Sequence, residues 1–188
     1  MLILTSVFLL RQQRFNSSTL LRSLTYSVAL SIRQAQVYGT SIRESSAGAF
    51  DTNTSAKAYG VYFSSGSASS YILFADTNSD GQYTVGESVQ VFSLGGGYTI
   101  SKFCATTSGG TQRCWTPASA DISNMTIIFK RPNPDSCFAT SVSANACQTG
   151  VTPSESYASG YVQVQSGTDT RSVTITLPGQ ISVGAQGS

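Results

Sequence analysis

The chain has 188 residues, one domain's worth, with 11% charged side chains, no histidine and a formal net charge of +2. That balance excludes bulk electrostatic attachment to nucleic acid, and the missing histidine excludes a Ser-His-Asp centre and histidine-based metal sites. The four cysteines point to an oxidising, extracytoplasmic setting.

Residues 1–40 read as one long helix. The run MLILTSVFLL is apolar except for Thr5 and Ser6 and is followed directly by Arg11, Gln12, Gln13 and Arg14. A secretory signal places its charges before the apolar core, so this order is not that of a signal peptide. Ten residues of helix cover only about half of the roughly 20 that cross a bilayer. The expectation is therefore that Met1 is not the natural start and that upstream residues complete a membrane helix. From Leu21 the apolar positions Leu21, Leu24, Val28, Ile32 and Ala35 step by three and four, building one stripe that needs a sheet to lie on. Arg22, Ser23, Ser27, Arg33 and Gln34 face water, with Thr25 and Ser31 on the borders. Two parts follow: a helix over 1–40, with an apolar tip at 1–10 and an amphipathic half at 11–40, and a globular β domain over 41–188.

After Thr40 the apolar period changes from 3.6 to 2. Residues 41–57, with Gly48, Asp51 and Asn53, read as an ordered loop. Strands are expected over 58–63 and 70–75 around a turn at Gly66, over 88–93, over 98–103 after Gly95, Gly96 and Gly97, and over 122–130, where Ile127, Ile128 and Phe129 suit burial on both faces. Residues 131–159 hold Pro132, Pro134 and Pro153 with little periodicity and read as one long stapled loop. Strands return over 161–165, 171–177 and 180–183, with Val173, Ile175 and Leu177 on one face. A helix followed by strands without alternation predicts an α+β fold, the helix packed on a mainly antiparallel sheet with disulfide-stapled C-terminal loops.

The cysteines form two pairs, Cys104 with Cys114 and Cys137 with Cys147, each ten positions apart in a loop-like context. Three pairings exist in principle. Sequential pairing is favoured because each bond closes a short loop, worth roughly 2.5 to 3 kcal/mol in the chain-entropy model. Zinc lacks its usual C-x2-C spacing here. Trp115, beside Cys114, is either a platform for a sugar or a ring packed on the disulfide.

One stretch carries metal chemistry. Residues 76–87 read DTNSDGQYTVGE, matching the calcium-loop pattern D-x-[DN]-x-[DN]-G-x5-E at every fixed position. Asp76, Asn78 and Asp80 would offer side-chain oxygens to Ca2+, Gln82 its backbone carbonyl, Thr84 a direct or water-borne contact, and Glu87 both carboxylate oxygens. Gly81 permits the sharp turn. Strands rather than helices flank the loop, and Tyr83 stands where helix-loop-helix proteins place an aliphatic residue. The competing reading is an Asx-rich turn with solvated carboxylates. No nucleophile elbow, phosphate loop or paired carboxylates occur elsewhere, so the chain is expected not to be an enzyme.

TSVFLLRQQRFN over 5–16, LSIRQAQVYGTSIRE over 30–44 and RSVTITLPGQISV over 171–183 together resemble type IV pilins and type II secretion pseudopilins, with the H class of minor pseudopilins nearest. The resemblance implies a filament subunit, anchored in the cytoplasmic membrane before assembly and then part of an extracellular or periplasmic filament, with other pilin subunits as partners. Leu2, Ile3, Leu4, Val7, Phe8, Leu9 and Leu10 would be buried between subunits. Gly179-Gln180 stands where some relatives carry Gly-Arg, which leaves nucleic acid as a partner without residue support. The reading of another class is a secreted, calcium-stabilised β-rich adhesin or carbohydrate-binding module.

Overall fold

The computed structural model describes residues 2–41 and 58–185, with side chains over 17–41 and 58–184. Helix α1 (Leu2–Thr40) is followed by β1 (Ala58–Ser64), β2 (Ser70–Asp76), β3 (Ser88–Ser93), β4 (Thr99–Thr107), β5 (Gln112–Thr116), β6 (Ser119–Ala120), β7 (Asn124–Phe129), β8 (Ser136–Thr140), β9 (Tyr157–Ser166), β10 (Asp169–Thr176) and β11 (Ile181–Ala185). The strands form a five-stranded sheet in the order β3-β2-β1-β7-β8 and a six-stranded sheet in the order β11-β10-β9-β4-β5-β6. Every pairing is antiparallel.

This corrects the expected α+β class. Among the described residues the protein is mostly β and built on two antiparallel sheets, with α1 the single helix, rather than one sheet serving as the bed of a helix. The physical reason is that alternation reports which face of a strand is buried and says nothing of which sheet the strand joins. Residues 131–159 are corrected too: they contain β8 and the first residues of β9. So is the end of the β10 face, where Val173 and Ile175 are buried but Leu177, past the strand, is exposed.

Both sheets give one face to a common core. Val61, Phe63, Leu73, Met125, Ile127 and Phe129 enter it from the five-stranded sheet; Ile100, Phe103, Val162, Val164, Val173 and Ile175 enter from the other. Leu21, Val28, Ile32 and Ala35 of α1 are buried in the same cluster, with Leu24 packed against its edge. Alternation in the inner strands and steps of three and four in the helix thus meet in one apolar volume, whereas Val89 and Val91 of the edge strand β3 stay exposed.

Polar groups buried with that face find partners. Thr25 Oγ1 donates to Leu21 O at 2.7 Å, Ser31 Oγ lies 2.9 Å from Tyr71 Oη, and Gln36 Nε2 donates to both Pro134 O at 2.9 Å and Gly179 O at 3.0 Å. Gln36 therefore fastens the end of α1 to two turns, one from each sheet. The side chains of Leu2, Ile3, Leu4, Val7, Phe8, Leu9 and Leu10 lie outside the described residues, as does the loop expected over 42–57. No helix of the described residues is long and apolar enough to cross a membrane.

Candidate functional site

The stretch 76–87 is the connection between β2 and β3. The β2–β3 register shifts between Leu73 and Phe74, and Ala75 N donates to Glu87 O at 3.0 Å, so the loop is closed by the ladder beneath it. Inside, Ser79 and Gly81 take left-handed backbone conformations with φ of 62° and 79°. These reversals coil the chain so that side-chain oxygens accept from backbone N–H groups of the same loop. Gly81 N donates to Asp76 Oδ2 at 3.1 Å, Asp80 N to Asn78 Oδ1 at 3.0 Å and Gln82 N to Asp80 Oδ1 at 2.8 Å.

Asp76 is the centre of this arrangement. It is 1% exposed, and its Oδ1 is a buried atom with no hydrogen-bond partner. Burial pushes its carboxyl above the ordinary aspartate range, the charges of Asp80 and Glu87 add to that, and the Gly81 N–H and the Lys130 ammonium pull back. A buried carboxylate oxygen without a donor is expensive, and a cation is the partner that would satisfy it.

Glu87, 7% exposed, is bonded differently from the expectation. Its Oε1 accepts from Thr77 N at 2.8 Å, Thr77 Oγ1 at 2.9 Å and Asn78 N at 3.3 Å, whereas Oε2 accepts only from Thr84 N at 2.8 Å. With Oε1 saturated, Oε2 is the one Glu87 oxygen with capacity left, so closure of the site by both oxygens is not prepared in this state. Asn78 Nδ2 donates to Asp80 Oδ2 at 2.9 Å, and Thr84 Oγ1 lies 3.3 Å from the same oxygen. Among the described residues no three Asp, Glu, Cys or His side chains converge closely enough to cage a metal ion. The donors that fit a hard cation are thus Asp76 Oδ1, Asp80, Glu87 Oε2 and neutral oxygens of Asn78, Gln82 and Thr84.

Tyr83 explains the departure from the helix-loop-helix pattern. Its ring packs 4.9 Å from Tyr62 and 5.6 Å from Phe74, joining a small second cluster with Ala58, Ile72 and Ile128 on the outer face of the five-stranded sheet. A loop held by strands needs an apolar anchor pointing into a sheet face, and an aromatic at that position supplies one.

The disulfides are Cys104–Cys114 and Cys137–Cys147. The first is not in a loop: Cys104 and Cys114 are directly opposed residues of β4 and β5. Trp115, 7% exposed, stacks on the Phe103 ring at 5.0 Å and is buried in the core, which removes it as a sugar platform. A separate polar recess of about 270 Å³ is lined by Thr107, Ser108, Thr111, Ser156 and the paired Arg113 and Glu155.

Compared with models of protein families, with curated proteins and with solved structures, the chain matches none. What sequence reasoning missed is non-local: Lys130, just after β7 and outside the motif, acts on Asp76, and Cys147 packs against Gly81. No periodicity or spacing carries that information.

Proposed function

We propose that the protein is a non-enzymatic structural subunit of an extracytoplasmic filament of the type IV pilin or type II secretion kind, assembling through α1. The observation that carries this reading is a second apolar stripe on the helix. Tyr26, Leu30 and Val37 are all exposed, Leu30 at 68%, and their spacing of four and seven sets them on the side of α1 opposite the buried stripe, with Arg33 between them. An isolated exposed leucine is ordinary, but an aligned stripe on a helix is the kind of surface that neighbouring helices cover. Partners are further subunits, the cytoplasmic membrane holds the chain before assembly, and the two disulfides suit that route. The test is sedimentation of the full chain over a range of concentrations. Association that Leu30→Glu abolishes without lowering Tm supports the reading; a wild-type chain that stays monomeric throughout overturns it.

A second reading concerns the body of the subunit and has its own observation, the partnerless Asp76 Oδ1. The loop 76–87 takes Ca2+, with Asp76, Asn78, Asp80, Gln82, Thr84 and Glu87 as its oxygen donors, and the ion supplies the partner that the buried Asp76 Oδ1 lacks. Calcium then pins the β2–β3 connection. A rise in Tm on adding calcium that Asp80→Ala removes supports this role, and no change in Tm contradicts it. The same site would serve a secreted binding module, which the sedimentation experiment separates from a filament subunit.

A further inference from the structure

Gly81 lies in the middle of the loop and is buried against another part of the chain. A Cβ placed on it would stand 2.7 Å from Cys147 C, 2.9 Å from Cys147 Cβ and 3.0 Å from Cys147 O. The loop therefore rests directly on the backbone of Cys147, which is itself 5% exposed. The other side of that carbonyl is held by Lys130, whose Nζ donates to Cys147 O. Lys130 follows β7, the neighbour of β8, and β8 carries Cys137, the disulfide partner of Cys147. Residues 141–156 between β8 and β9 make no ladder of their own. Short-range contacts and the Cys137–Cys147 bond are what place Cys147 under the loop. Cys104–Cys114 lies in the other sheet, where it joins β4 to β5.

We propose that the Cys137–Cys147 disulfide, acting through the Cys147 backbone and Lys130, positions the 76–87 loop for its cation, so that calcium affinity depends on the oxidation state of this one bond. With the bond formed, Cys147 is a fixed wall behind Gly81, and the Gly81 N–H is held on Asp76 Oδ2, which leaves Oδ1 for the cation. Two-electron reduction by an external dithiol breaks the Sγ–Sγ bond, places one proton on each sulfur and leaves the reductant as its own disulfide. Residues 141–156 then lose their tether to β8, the wall behind Gly81 goes with them, and Lys130 loses its carbonyl. Cation binding after export into an oxidising compartment, and not before, is the consequence. Because coupling is reciprocal, bound calcium must make the same bond harder to reduce.

This rests on the calcium reading above, and the experiment separates the two. Calcium is titrated into the oxidised full chain, into Cys137→Ser/Cys147→Ser and into Cys104→Ser/Cys114→Ser, with binding followed by calorimetry. The expected result is binding weakened at least tenfold in the first variant and changed less than twofold in the second. Equal affinity in all three retains the calcium site and overturns the coupling; no binding even to the oxidised chain overturns both. Where the first variant does not fold, reduction of the unaltered chain by dithiothreitol is followed by thiol alkylation and mass spectrometry. Calcium should slow opening of Cys137–Cys147 several-fold and leave Cys104–Cys114 unchanged, and equal slowing of both bonds, or of neither, contradicts the proposal.

Discussion

The two disulfides each join cysteines ten positions apart and do different work. Cys104 and Cys114 face each other in a hydrogen-bonded ladder that already sets their register, between Phe103 opposite Trp115 and Ala105 opposite Arg113. Cys147 belongs to a stretch without a ladder, and its place is set by a few point contacts, Gly81 on one side and Lys130 on the other. Where backbone pairing is continuous, removing one link subtracts from stability and leaves the geometry intact. Where position depends on single contacts, removing one changes the geometry of whatever leans on it. Gln36, bridging Pro134 O and Gly179 O, is a fastening of the second kind between α1 and the sheets.

Four substitutions would break or sharpen that contrast. Cys104→Ser/Cys114→Ser has the largest expected effect on global stability, about 2–4 kcal/mol by denaturant unfolding, yet it should leave the calcium-induced rise in Tm at its original size. Loss of that rise would show that the ladder side also positions the loop. Gly81→Ala forces a left-handed residue to carry a Cβ into the Cys147 backbone and should lower stability by roughly 1–3 kcal/mol, while also weakening calcium binding. A Gly81→Ala chain with unchanged calorimetry would mean that Cys147 is a neighbour and not a support.

Gln36→Leu keeps the volume of the side chain and strips the donor from two carbonyls, one buried and one part-buried, an expected loss of about 1–3 kcal/mol. Hydrogen exchange should show it concentrated at the end of α1 and at the turns holding Pro134 and Gly179. A loss spread evenly over all strands would argue that α1 is fastened by its apolar stripe alone. The smallest effect is expected at Arg113, whose hydrogen-bonded pairing holds the Glu155 carboxyl below the usual carboxylate range. A depressed folded value means that the pair contributes above the unfolded glutamate pKa of about 4.3 and that the contribution is lost as pH falls through the folded value. Arg113→Gln should therefore be slightly less stable than the parent at pH 7, with the difference closing on acidification. A gap that stays constant down to pH 2 would show that packing and not charge is at stake.

What could be read from residues alone was what depends on neighbours in sequence. The alternation of Val89, Gln90 and Val91 announced β3, and the run Ile127, Ile128, Phe129 announced β7, because each strand writes its own period. β8 escaped because Ser136–Thr140 is five residues between Pro134 and a stretch of turns, too short for a period to declare itself, and β5 and β6 are shorter still or interrupted by Arg113. The number of sheets was not legible, since Phe63 of one and Phe103 of the other point into the same core. In the loop, the fixed positions of the motif located Asp76 and Glu87, but the saturation of Glu87 Oε1 by Thr77 and Asn78 depends on how the chain coils back. The support from Cys147 depends on a contact made across 66 residues of sequence, 147 minus 81.

The account turns on whether Asp76 Oδ1 waits for a cation. Terbium(III), an oxygen-seeking ion of calcium's size, emits when a nearby tyrosine passes on absorbed light, and Tyr83 lies within the loop, its ring tilted against that of Tyr62. Sensitised emission from the oxidised chain that calcium displaces in competition and that Asp76→Ala removes is the predicted result. Absence of emission, or emission that Asp76→Ala leaves untouched, would contradict it and reduce the loop to a turn.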